Sequence, residues 1–430
     1  MECDARARIV WRFSPPSPSP PMHTPVIAVL GTFDTKGAEL RCVSDLIRQK
    51  GFEVLTVDVG SGSPSAPVDC SAPMVAEHGG EDWRGVLERR DRGEWVALMA
   101  RAAAVFARAL LDAGRIHGIL SLGGGGGTAM ATAAMRALPV GFPKVMVSTL
   151  ASGNVAPYVG LKDVVMMPSI VDVAGVNRIS RVIFENAAGA VCGMVAAAVE
   201  RAQRREGERP LVVASMFGNT TECVEEARRI LEQAGCEVLV FHSTGQGGRA
   251  MEALIAGGLV AGVLDVTTTE WADEYVGGIL SAGPERLDAA AKAGIPTVIA
   301  PGCLDMVNFG EWHTVPERFA GRTLYAHNPQ VTLMRTSPEE SLAIGRILAG
   351  KINAYRGPVQ VLWPGGGISR LSEPGQPFHL PEADAALLRG LRERLDDGVE
   401  LRELPYAIND PDFASACAEA LLGGMGLRRP

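Results

Sequence analysis

Short apolar segments that end at a glycine-rich or polar turn recur along this 430-residue chain, and an amphipathic helical segment follows most of them. Examples are Val26 to Gly31, Ile119 to Leu122, Leu211 to Ala214 and Val263 to Val266. A short, continuous apolar run indicates a strand that is buried on both faces. Regular alternation of such strands with helices predicts an α/β fold, in which a mostly parallel sheet carries helices on both faces.

A charged segment near the middle of the chain, QRREGER at 203–209, interrupts the alternation, which then restarts. Residues 27–55 can be laid over residues 211–239 without a gap, and Gly51 then matches Gly235. We therefore predict two Rossmann-like domains related by an ancient duplication. The predicted division is a disordered extension at 1–24, a first α/β domain at 25–204 and a second α/β domain at 210–425. The extension ends in SPPSPSPP, a composition that cannot build a core.

Composition and charge exclude several kinds of protein. The net charge is −8 at pH 7 with a pI near 5.5, and no basic stripe is present that would suit a nucleic-acid backbone. No uninterrupted apolar run approaches the ~20 residues that a membrane-spanning helix needs. The eight cysteines are scattered without a C-x-x-C pair, so we predict neither a disulfide framework nor a structural metal site. The chain is therefore predicted to be cytoplasmic, with no nucleic-acid or membrane partner.

The turn that follows the first predicted strand has the sequence GTFDTKG, at 31–37. In an open parallel sheet, ligands bind beyond the carboxyl ends of the strands, where helix N-termini direct free N–H groups outward. Hydroxyl groups, a positive charge and flexible glycines occur together here, which predicts the binding of a phosphate or another anion. The candidate residues are Gly31, Thr32, Asp34, Thr35 and Lys36. The alternative is that Asp34 or Thr35 only caps the following helix.

A run of five glycines forms the turn after the third predicted strand. Its members are Gly123, Gly124, Gly125, Gly126 and Gly127, and Thr128 follows at the predicted start of a helix. Five glycines are costly in backbone entropy, whereas a structural turn needs one or two. We interpret the run as a nest of N–H groups around an anion, and the alternative is a flexible hinge. Small polar residues after the fourth strand would complete the same pocket, namely Thr149, Ser152 and Gly153.

Small and polar residues also follow the strands of the second predicted domain, where they should converge on one cleft. The predicted contacts to a second ligand are Gly218, Asn219, Thr220, Gly247, Gly248, Arg249, Thr267 and Thr268. The predicted catalytic groups are Asp265, Glu270, His327 and Arg335. The carboxylates and the imidazole suit proton transfer, and an arginine suits pairing with a carboxylate or phosphate. Each of these residues has an alternative role as a helix cap or a member of an ion pair.

Longer runs of this sequence resemble a known family. They are GTFDTKG at 31–37, GGGGGT at 123–128, STLASGN at 148–154, PSIVDVAGVNRISRVIFENAAGA at 168–190, DVTTTEWADE at 265–274, PGCLDMVNFG at 301–310 and HNPQVTLMRT at 327–336. The chain resembles, over about residues 25–425, the two-domain proteins that include the ATP-binding inhibitory domain of the tomato mosaic virus resistance protein. This resemblance implies two α/β domains, ATP bound in the first domain, and self-association. It implies no particular reaction.

Together, the two anion-binding turns and the resemblance predict an ATP-binding two-domain protein, and more specifically an ATP-dependent or ATP-regulated enzyme of small-molecule metabolism. ATP would lie across Thr32, Asp34, Thr35 and the glycine run, and Asp34 is the acidic residue nearest to a bound Mg²⁺. One alternative is a non-catalytic ATP-sensing module that binds a partner protein. Another is an ATP-independent lyase or hydrolase of an organic acid. The predicted partners are a small-molecule ligand and further copies of the chain, in a homodimer or higher homo-oligomer.

Overall fold

The computed structural model describes residues 24–203 and 209–428, which form two compact units. Each unit contains a parallel sheet flanked by helices. The predicted α/β fold with two Rossmann-like domains is therefore confirmed. Two predictions, the disordered extension up to residue 24 and the charged break at 203–209, fall largely outside the described residues.

Unit 1 is built on a five-stranded sheet with the order β2-β1-β3-β4-β5. Its strands are β1 (Val26–Gly31), β2 (Glu53–Asp58), β3 (Gly118–Gly123), β4 (Lys144–Ser148) and β5 (Val165–Pro168). Its helices are α1 (Phe33–Gln49), α2 (Ala72–His78), α3 (Trp83–Arg89), α4 (Arg92–Asp112), α5 (Gly125–Ala137), α6 (Ala156–Val159) and α7 (Arg178–Gln203). All four strand pairs are parallel. Because β1 lies between β2 and β3, the winding of the sheet reverses at β1, and a crevice opens there between the ends of β1 and β3.

Strand β1, which lies between β2 and β3, is buried on both faces, as its continuous apolar sequence predicts. Ile27 and Val29 pack into the core beneath α1 and α7, whereas Ala28 and Leu30 pack into the core beneath α4 and α5. Side chains alternate between the two faces because successive residues of a strand point in opposite directions. Each fully buried aliphatic side chain stabilises the fold by about 1.5–3 kcal/mol. The two cores therefore fix β1, and with it the position of the turn that follows.

Helix α7 is long and apolar enough to cross a membrane when judged by length and composition alone, with a mean hydropathy of 1.8. The sequence analysis predicted no such segment. Phe184, Val191 and Val195 of α7 are fully buried in the core of unit 1. Only 33% of its apolar window is buried within the protein. A single helix of this length and composition is weak evidence for a membrane span, because core helices of soluble proteins share both properties.

Unit 2 contains a six-stranded parallel sheet with the order β14-β13-β9-β8-β6-β7 and a three-stranded antiparallel sheet with the order β10-β12-β11. The strands of the large sheet are β6 (Leu211–Met216), β7 (Glu237–His242), β8 (Gly262–Thr267), β9 (Thr297–Gly302), β13 (Val359–Pro364) and β14 (Glu400–Leu404). Those of the small sheet are β10 (Met306–Phe309), β11 (Leu324–Asn328) and β12 (Val331–Arg335). The helices are α8 (Thr221–Gln233), α9 (Gln246–Ile255), α10 (Glu270–Val276), α11 (Asp288–Ala293), α12 (Pro338–Ile352), α13 (Pro381–Arg392) and α14 (Pro411–Gly424).

The small antiparallel sheet is not predicted by the sequence analysis. Its strands have only four or five residues each, and β11 contains a register shift between Ala326 and Asn328. Such short segments carry a weak periodic signal, and their pairing depends on residues that are distant in the sequence.

The two segments matched in the sequence comparison have the same local geometry. Gly51, between α1 and β2, has φ +85°, and Gly235, between α8 and β7, has φ +89°. Both glycines follow the C-terminus of a helix, and both adopt the left-handed backbone conformation, which a residue with a side chain adopts only at a cost. Both units also place their second strand beside their first. The proposed duplication is consistent with this shared geometry.

Candidate functional site

A cavity of about 1090 Å³ lies in unit 1, at the crevice between the carboxyl ends of β1 and β3. This volume slightly exceeds the range of about 300–1,000 Å³ that is typical of small-molecule sites. The residues predicted from the sequence that line it are Thr32, Asp34, Thr35, Lys36, Gly123, Gly124, Gly126 and Gly127. The turns GTFDTKG and GGGGGT, about 90 residues apart in the sequence, are therefore brought together in one cavity.

The N-termini of α1 and α5 both lie at this cavity. The first backbone hydrogen bond of α5 runs from the N–H of Thr128 to the carbonyl of Gly124, at 2.8 Å. The N–H groups of the first helical turn, at 125–127, consequently have no carbonyl partner within the helix. Free N–H groups and the positive end of the helix dipole favour an anion at this position.

The glycine run is a strand end and a helical turn rather than an irregular nest. Gly123 ends β3, Gly124 is the N-cap of α5, and the next three glycines form its first turn. All five have negative or extended φ, so a left-handed conformation does not explain them. A Cβ added at Gly124, Gly125 or Gly127 would meet its nearest neighbour at 3.7–4.0 Å, which is ordinary contact. The described residues therefore leave room for a Cβ at all three positions. A ligand packed against the backbone would account for Gly124 and Gly127, which line the cavity, but not for Gly125, which lies outside the lining.

Asp34 connects the turn after β1 to the segment after β2. Its Oδ2 accepts a hydrogen bond of 2.8 Å from the N–H of Gly62, and a Cβ at Gly60 would lie only 2.6 Å from its Oδ1. This Oδ1 is buried and has no hydrogen-bond partner. A buried carboxylate oxygen without a partner is costly, so Asp34 is suited to a metal ion or a donor group of a ligand.

Basic side chains that the sequence analysis did not select also line the cavity. They are Arg90, which ends α3 with a strained φ of +53°, and Arg92, which begins α4. Neither arginine, nor Lys36, has an ion-pair partner among the described residues. Four carboxylates line the cavity as well, those of Asp34, Glu88, Asp91 and Asp172, so the attraction for an anion is local to the helix N-termini and the basic side chains. The run RRDR at 89–92, immediately before a helix, is the sequence signal that would have found the two arginines.

Apolar side chains also line the cavity. They are Val59, Val86, Leu87, Trp95, Val96 and Met130. Trp95 is fixed in place because its Nε1–H donates a 3.1 Å hydrogen bond to the carbonyl of Val59. The cavity therefore combines polar groups suited to phosphate with apolar side chains suited to a flat ring system.

Six of the predicted contacts in unit 1 lie beside the cavity rather than in its lining. They are Gly31, Gly125, Thr128, Thr149, Ser152 and Gly153. A Cβ at Gly31 would lie 2.7 Å from Leu40, so the helix packing explains this glycine. Thr128 is fully buried and its hydroxyl pairs with that of Ser148 at 2.7 Å. Thr149 Oγ1 is 3.7 Å from the position of a Cβ at Gly124, so it borders the glycine turn from outside.

Comparison with known proteins identifies the family. The family model for the N-terminal domain of the uncharacterised protein family UPF0261 matches residues 25–200, and the model for its C-terminal domain matches residues 209–425. The chain belongs to the UPF0261 family. The predicted resemblance is thereby confirmed.

Relatives of this UPF0261 chain occur in bacteria and in a plant. It is 48% identical over 401 residues to a UPF0261 protein of Clostridium tetani, covering 93% of this chain and 98% of that protein. It is 47% identical over 396 residues to a UPF0261 protein of Rhizobium meliloti, with 92% and 98% covered. It is also 39% identical over 421 residues to the ToMV resistance protein Tm-1(GCR237) of Solanum lycopersicum, where the match covers 93% of this chain and 56% of the tomato protein.

In unit 2 of this UPF0261 protein, the crevice between the ends of β6 and β8 is filled by its own side chains. The hydroxyls of Thr220 and Thr267 are 2.7 Å apart, and Thr268 donates a 3.1 Å hydrogen bond to the carbonyl of Ala300. All three threonines are fully buried. Asn219 is also buried, and Gly218 lies beside it in a short 3₁₀ turn. These predicted ligand contacts are brought together, but their hydroxyls already bond within the protein.

The carboxylate of Glu270 lies at the N-terminus of α9, where the sequence analysis expected a ligand. Its Oε1 accepts hydrogen bonds from the N–H groups of Gly245 and Gly248, at 2.7 and 3.1 Å. A Cβ at Gly248 would lie 2.0 Å from Glu270, and one at Gly247 would lie 1.8 Å from the carbonyl of His242. The protein itself therefore explains these glycines, in contrast to those of α5. Arg249 is exposed on α9, and its predicted ligand contact stays a prediction.

Arg286, which the sequence analysis did not select, holds both predicted catalytic carboxylates. Its two Nη atoms donate to the two oxygens of Asp265, at 2.6 and 2.7 Å, and its Nε donates to Glu270 at 2.7 Å. A further bond of 3.2 Å reaches Glu252. Arg286, Asp265 and Glu270 are at most 1% exposed. The two carboxylates therefore form buried structural ion pairs with Arg286. Their predicted role in proton transfer stays a prediction.

The other two predicted catalytic residues lie at opposite ends of a hairpin. His327 is exposed near the turn between β11 and β12, where Asn328 pairs with Val331, whereas Arg335 ends β12. Arg335 is buried and donates to the carbonyl of Phe378 at 2.8 Å and to Asp384 at 2.6 Å. The structure therefore does not bring His327 and Arg335 together, and the guanidinium of Arg335 is used within the protein.

The buried carboxylate of Asp273, on the same helix α10 as Glu270, predicts a pH dependence of stability. Burial raises the pKa of Asp273 to about 7, against hydrogen bonds of 2.7 and 3.0 Å from Asn308. Between pH of about 4 and 7, the folded protein holds a proton that the unfolded chain has released, so stability falls as the pH rises through this window. We expect Asp273→Asn to flatten this fall by a few kcal/mol, on the order of the shift in pKa.

Urea unfolding midpoints measured between pH 4.5 and 7.5 test this prediction. Asp45→Asn, at an exposed position of α1, is the control. Its unfolding midpoint should change with pH as steeply as that of the wild type. Identical slopes for Asp273→Asn and the wild type would contradict the assignment.

Proposed function

We propose that unit 1 binds ATP in its cavity, and that the protein is an ATP-dependent or ATP-regulated enzyme of small-molecule metabolism. The observation that carries the proposal is the cavity between β1 and β3, which joins the two turns that the sequence singles out. The triphosphate would lie along the N-termini of α1 and α5, near Arg90 and Arg92. The adenine ring would lie against apolar side chains of the cavity lining, including that of Trp95.

The glycines of α5 support this orientation. A glycine in a helix costs up to about 1 kcal/mol relative to alanine, and the first turn of α5 contains three. Since the described protein leaves room for a Cβ at Gly127, the missing side chain is explained by close approach of a phosphate to the backbone.

A magnesium ion fits the residues present at one point. Asp34 Oδ1 is buried, unpartnered and part of a side chain that lines the cavity. Mg²⁺ commonly takes one or two carboxylates and fills the rest of its shell with phosphate oxygens and water, so one aspartate suffices. The ion would neutralise phosphate charge, and Asp34 would hold it beside the N-terminus of α1. Within the described ranges, no group of three or more histidine, cysteine, aspartate or glutamate side chains is arranged to hold a metal ion.

Replacing Gly127 by alanine tests the proposal, because stability and binding should change in opposite directions. We expect Gly127→Ala to stabilise unit 1 by up to about 1 kcal/mol, since alanine favours a helix. The same Cβ should weaken ATP binding by about tenfold or more, since it occupies the space of a phosphate. Calorimetric titration with ATP and thermal unfolding measure the two effects.

Gly125→Ala is the matched control, because Gly125 lies in the same helical turn but outside the cavity lining. It should stabilise the protein equally and bind ATP like the wild type. Equal ATP affinity in both variants would refute the proposed phosphate position. ATP titrations in the presence of Mg²⁺ and in the presence of a chelator test the ion at Asp34. Equal ATP affinities under the two conditions would contradict a metal ion at this site.

Turnover assays separate the enzyme from its alternatives. Release of ADP or phosphate in the presence of a metabolite supports an ATP-dependent enzyme. Tight ATP binding without turnover would favour the ATP-sensing module, and metabolite conversion that ignores ATP would favour the lyase or hydrolase.

A further inference from the structure

Unit 2 contains a smaller cavity, of about 300 Å³, at the carboxyl end of β13. Most of its lining is apolar, including Trp363, Ile368 and Leu388, and its polar side chains are Ser372, His379 and Asp384. None of the residues predicted to contact a second ligand lines it. The three glycines at 365–367 also line the cavity. Their lack of a side chain is explained by the protein itself, since the segment 404–407 and Glu373 pack against their backbone. The polar side chains, rather than the glycines, therefore carry the recognition.

The hydrogen bonding of His379 fixes its tautomer. Its Nδ1 lies 3.0 Å from the carbonyl oxygen of Ser372. A carbonyl oxygen only accepts hydrogen bonds, so Nδ1 carries the proton and donates it. In the neutral ring, Nε2 is then an acceptor without a hydrogen-bond partner among the described residues. His379 thus offers a ligand an acceptor nitrogen.

Asp384 is oriented by a buried arginine. Its Oδ1 accepts a 2.6 Å hydrogen bond from Nη2 of Arg335, while its Oδ2 has no hydrogen-bond partner in the described part of the chain. Arg335 also donates to the carbonyls of Phe378 and Leu380 and to Thr336, so four of its five N–H groups have partners. It is 3% exposed and does not line the cavity, so it orients the carboxylate and is not available to an anionic ligand.

The two cavities therefore differ in the charge they favour. Two helix N-termini and three basic side chains meet at the cavity of unit 1, beside four carboxylates, whereas among the described residues no lysine or arginine lines that of unit 2 to offset Asp384. We propose that the cavity at β13 binds a small amine or alcohol on an apolar body, whose donor group hydrogen-bonds to Asp384 Oδ2 and His379 Nε2. A carboxylate or phosphate is disfavoured there because Asp384 would repel it. The proposal is independent of nucleotide binding in unit 1.

Three probes with the same four-carbon chain test the class of ligand: n-butylamine, 1-butanol and butyrate. Saturation-transfer NMR on the full chain at pH 7.5 detects weak binding of each. We expect signals from butylamine, butanol or both, and none from butyrate. Whichever of the two gives the larger signal identifies the ligand as an amine or an alcohol.

Ala385→Trp locates the binding, because Ala385 is an exposed residue of α13 that lines the cavity. A tryptophan there should fill the cavity and abolish the signals. The matched control is Glu382→Trp, at an exposed position of the same helix outside the lining, which should keep them. Three results would overturn the proposal: no signal from any probe, a butyrate signal equal to that of butylamine, or signals that survive Ala385→Trp.

Discussion

Replacing Arg286 by methionine should destabilise unit 2 by about 3–5 kcal/mol, the largest effect on stability that we expect from a single substitution. The side chain of Arg286 is 1% exposed and neutralises Asp265, Glu270 and Glu252. Methionine fills a similar volume but leaves the buried carboxylates of Asp265 and Glu270, and the partly buried one of Glu252, without a counter-charge. Because a domain is stable by only about 5–15 kcal/mol in total, a loss of this size brings unit 2 close to unfolding.

Urea unfolding followed by circular dichroism measures this loss. The control is Arg228→Met, which removes a solvent-exposed ion pair on α8 and should hardly move the unfolding midpoint. Adding Asp265→Asn and Glu270→Gln to the Arg286→Met chain should recover part of the stability, since neutral groups need no counter-charge. A loss no greater than that of Arg228→Met would show that the carboxylates do not depend on Arg286.

Replacing Arg92 by alanine should weaken ATP binding by about 10–100-fold, the largest effect on binding that we expect. Arg92 begins α4, lines the cavity of unit 1, and has Nη2 3.8 Å from the position of a Cβ at Gly126. Its guanidinium therefore lies over the glycine turn of α5, where the phosphates are proposed to bind. A hydrogen bond to a charged group contributes about 1.5–3 kcal/mol, and 1.4 kcal/mol corresponds to a factor of ten in affinity.

Arg41→Ala is the matched control for this substitution. Arg41 is exposed on α1 and outside the cavity lining, so the two variants change the net charge equally. Calorimetric titration should show that Arg41→Ala binds ATP like the wild type and that the difference between the variants shrinks at high salt. If both variants lose affinity equally, the effect of Arg92 comes from net charge and not from contact with the nucleotide.

Much of the anion-binding candidate site of unit 1 could be predicted from the sequence because its signals are local. GTFDTKG and GGGGGT each lie directly after an apolar strand and before a helix, and the carboxyl ends of neighbouring parallel strands meet at one edge. Arg90, Arg92 and Trp95 could not be selected in this way. They lie on helices that follow β2, and only the packing of α3 and α4 over the sheet brings them to the cavity.

In unit 2, the sequence identified the right kind of segment but not the state of its side chains. The turns after β6, β7 and β8 resemble ligand-binding turns, yet Glu270 reaches the N–H groups of Gly245 and Gly248, 25 and 22 residues away. Local composition cannot reveal whether such an N–H group will meet a ligand or a carboxylate of the same chain, since the answer depends on long-range packing.

The sequence by itself determined the two α/β units, the burial of β1 on both faces and the location of the turns at the strand ends, because burial and helix periodicity act over short stretches of chain. Only the tertiary structure decided which polar groups remain free. It neutralised Asp265 with Arg286, engaged Arg335 with Asp384, and left the first turn of α5 open at a large cavity. The physical reason is that a buried charge or N–H group must find a partner, and folding determines whether that partner comes from a distant part of the chain or from a ligand.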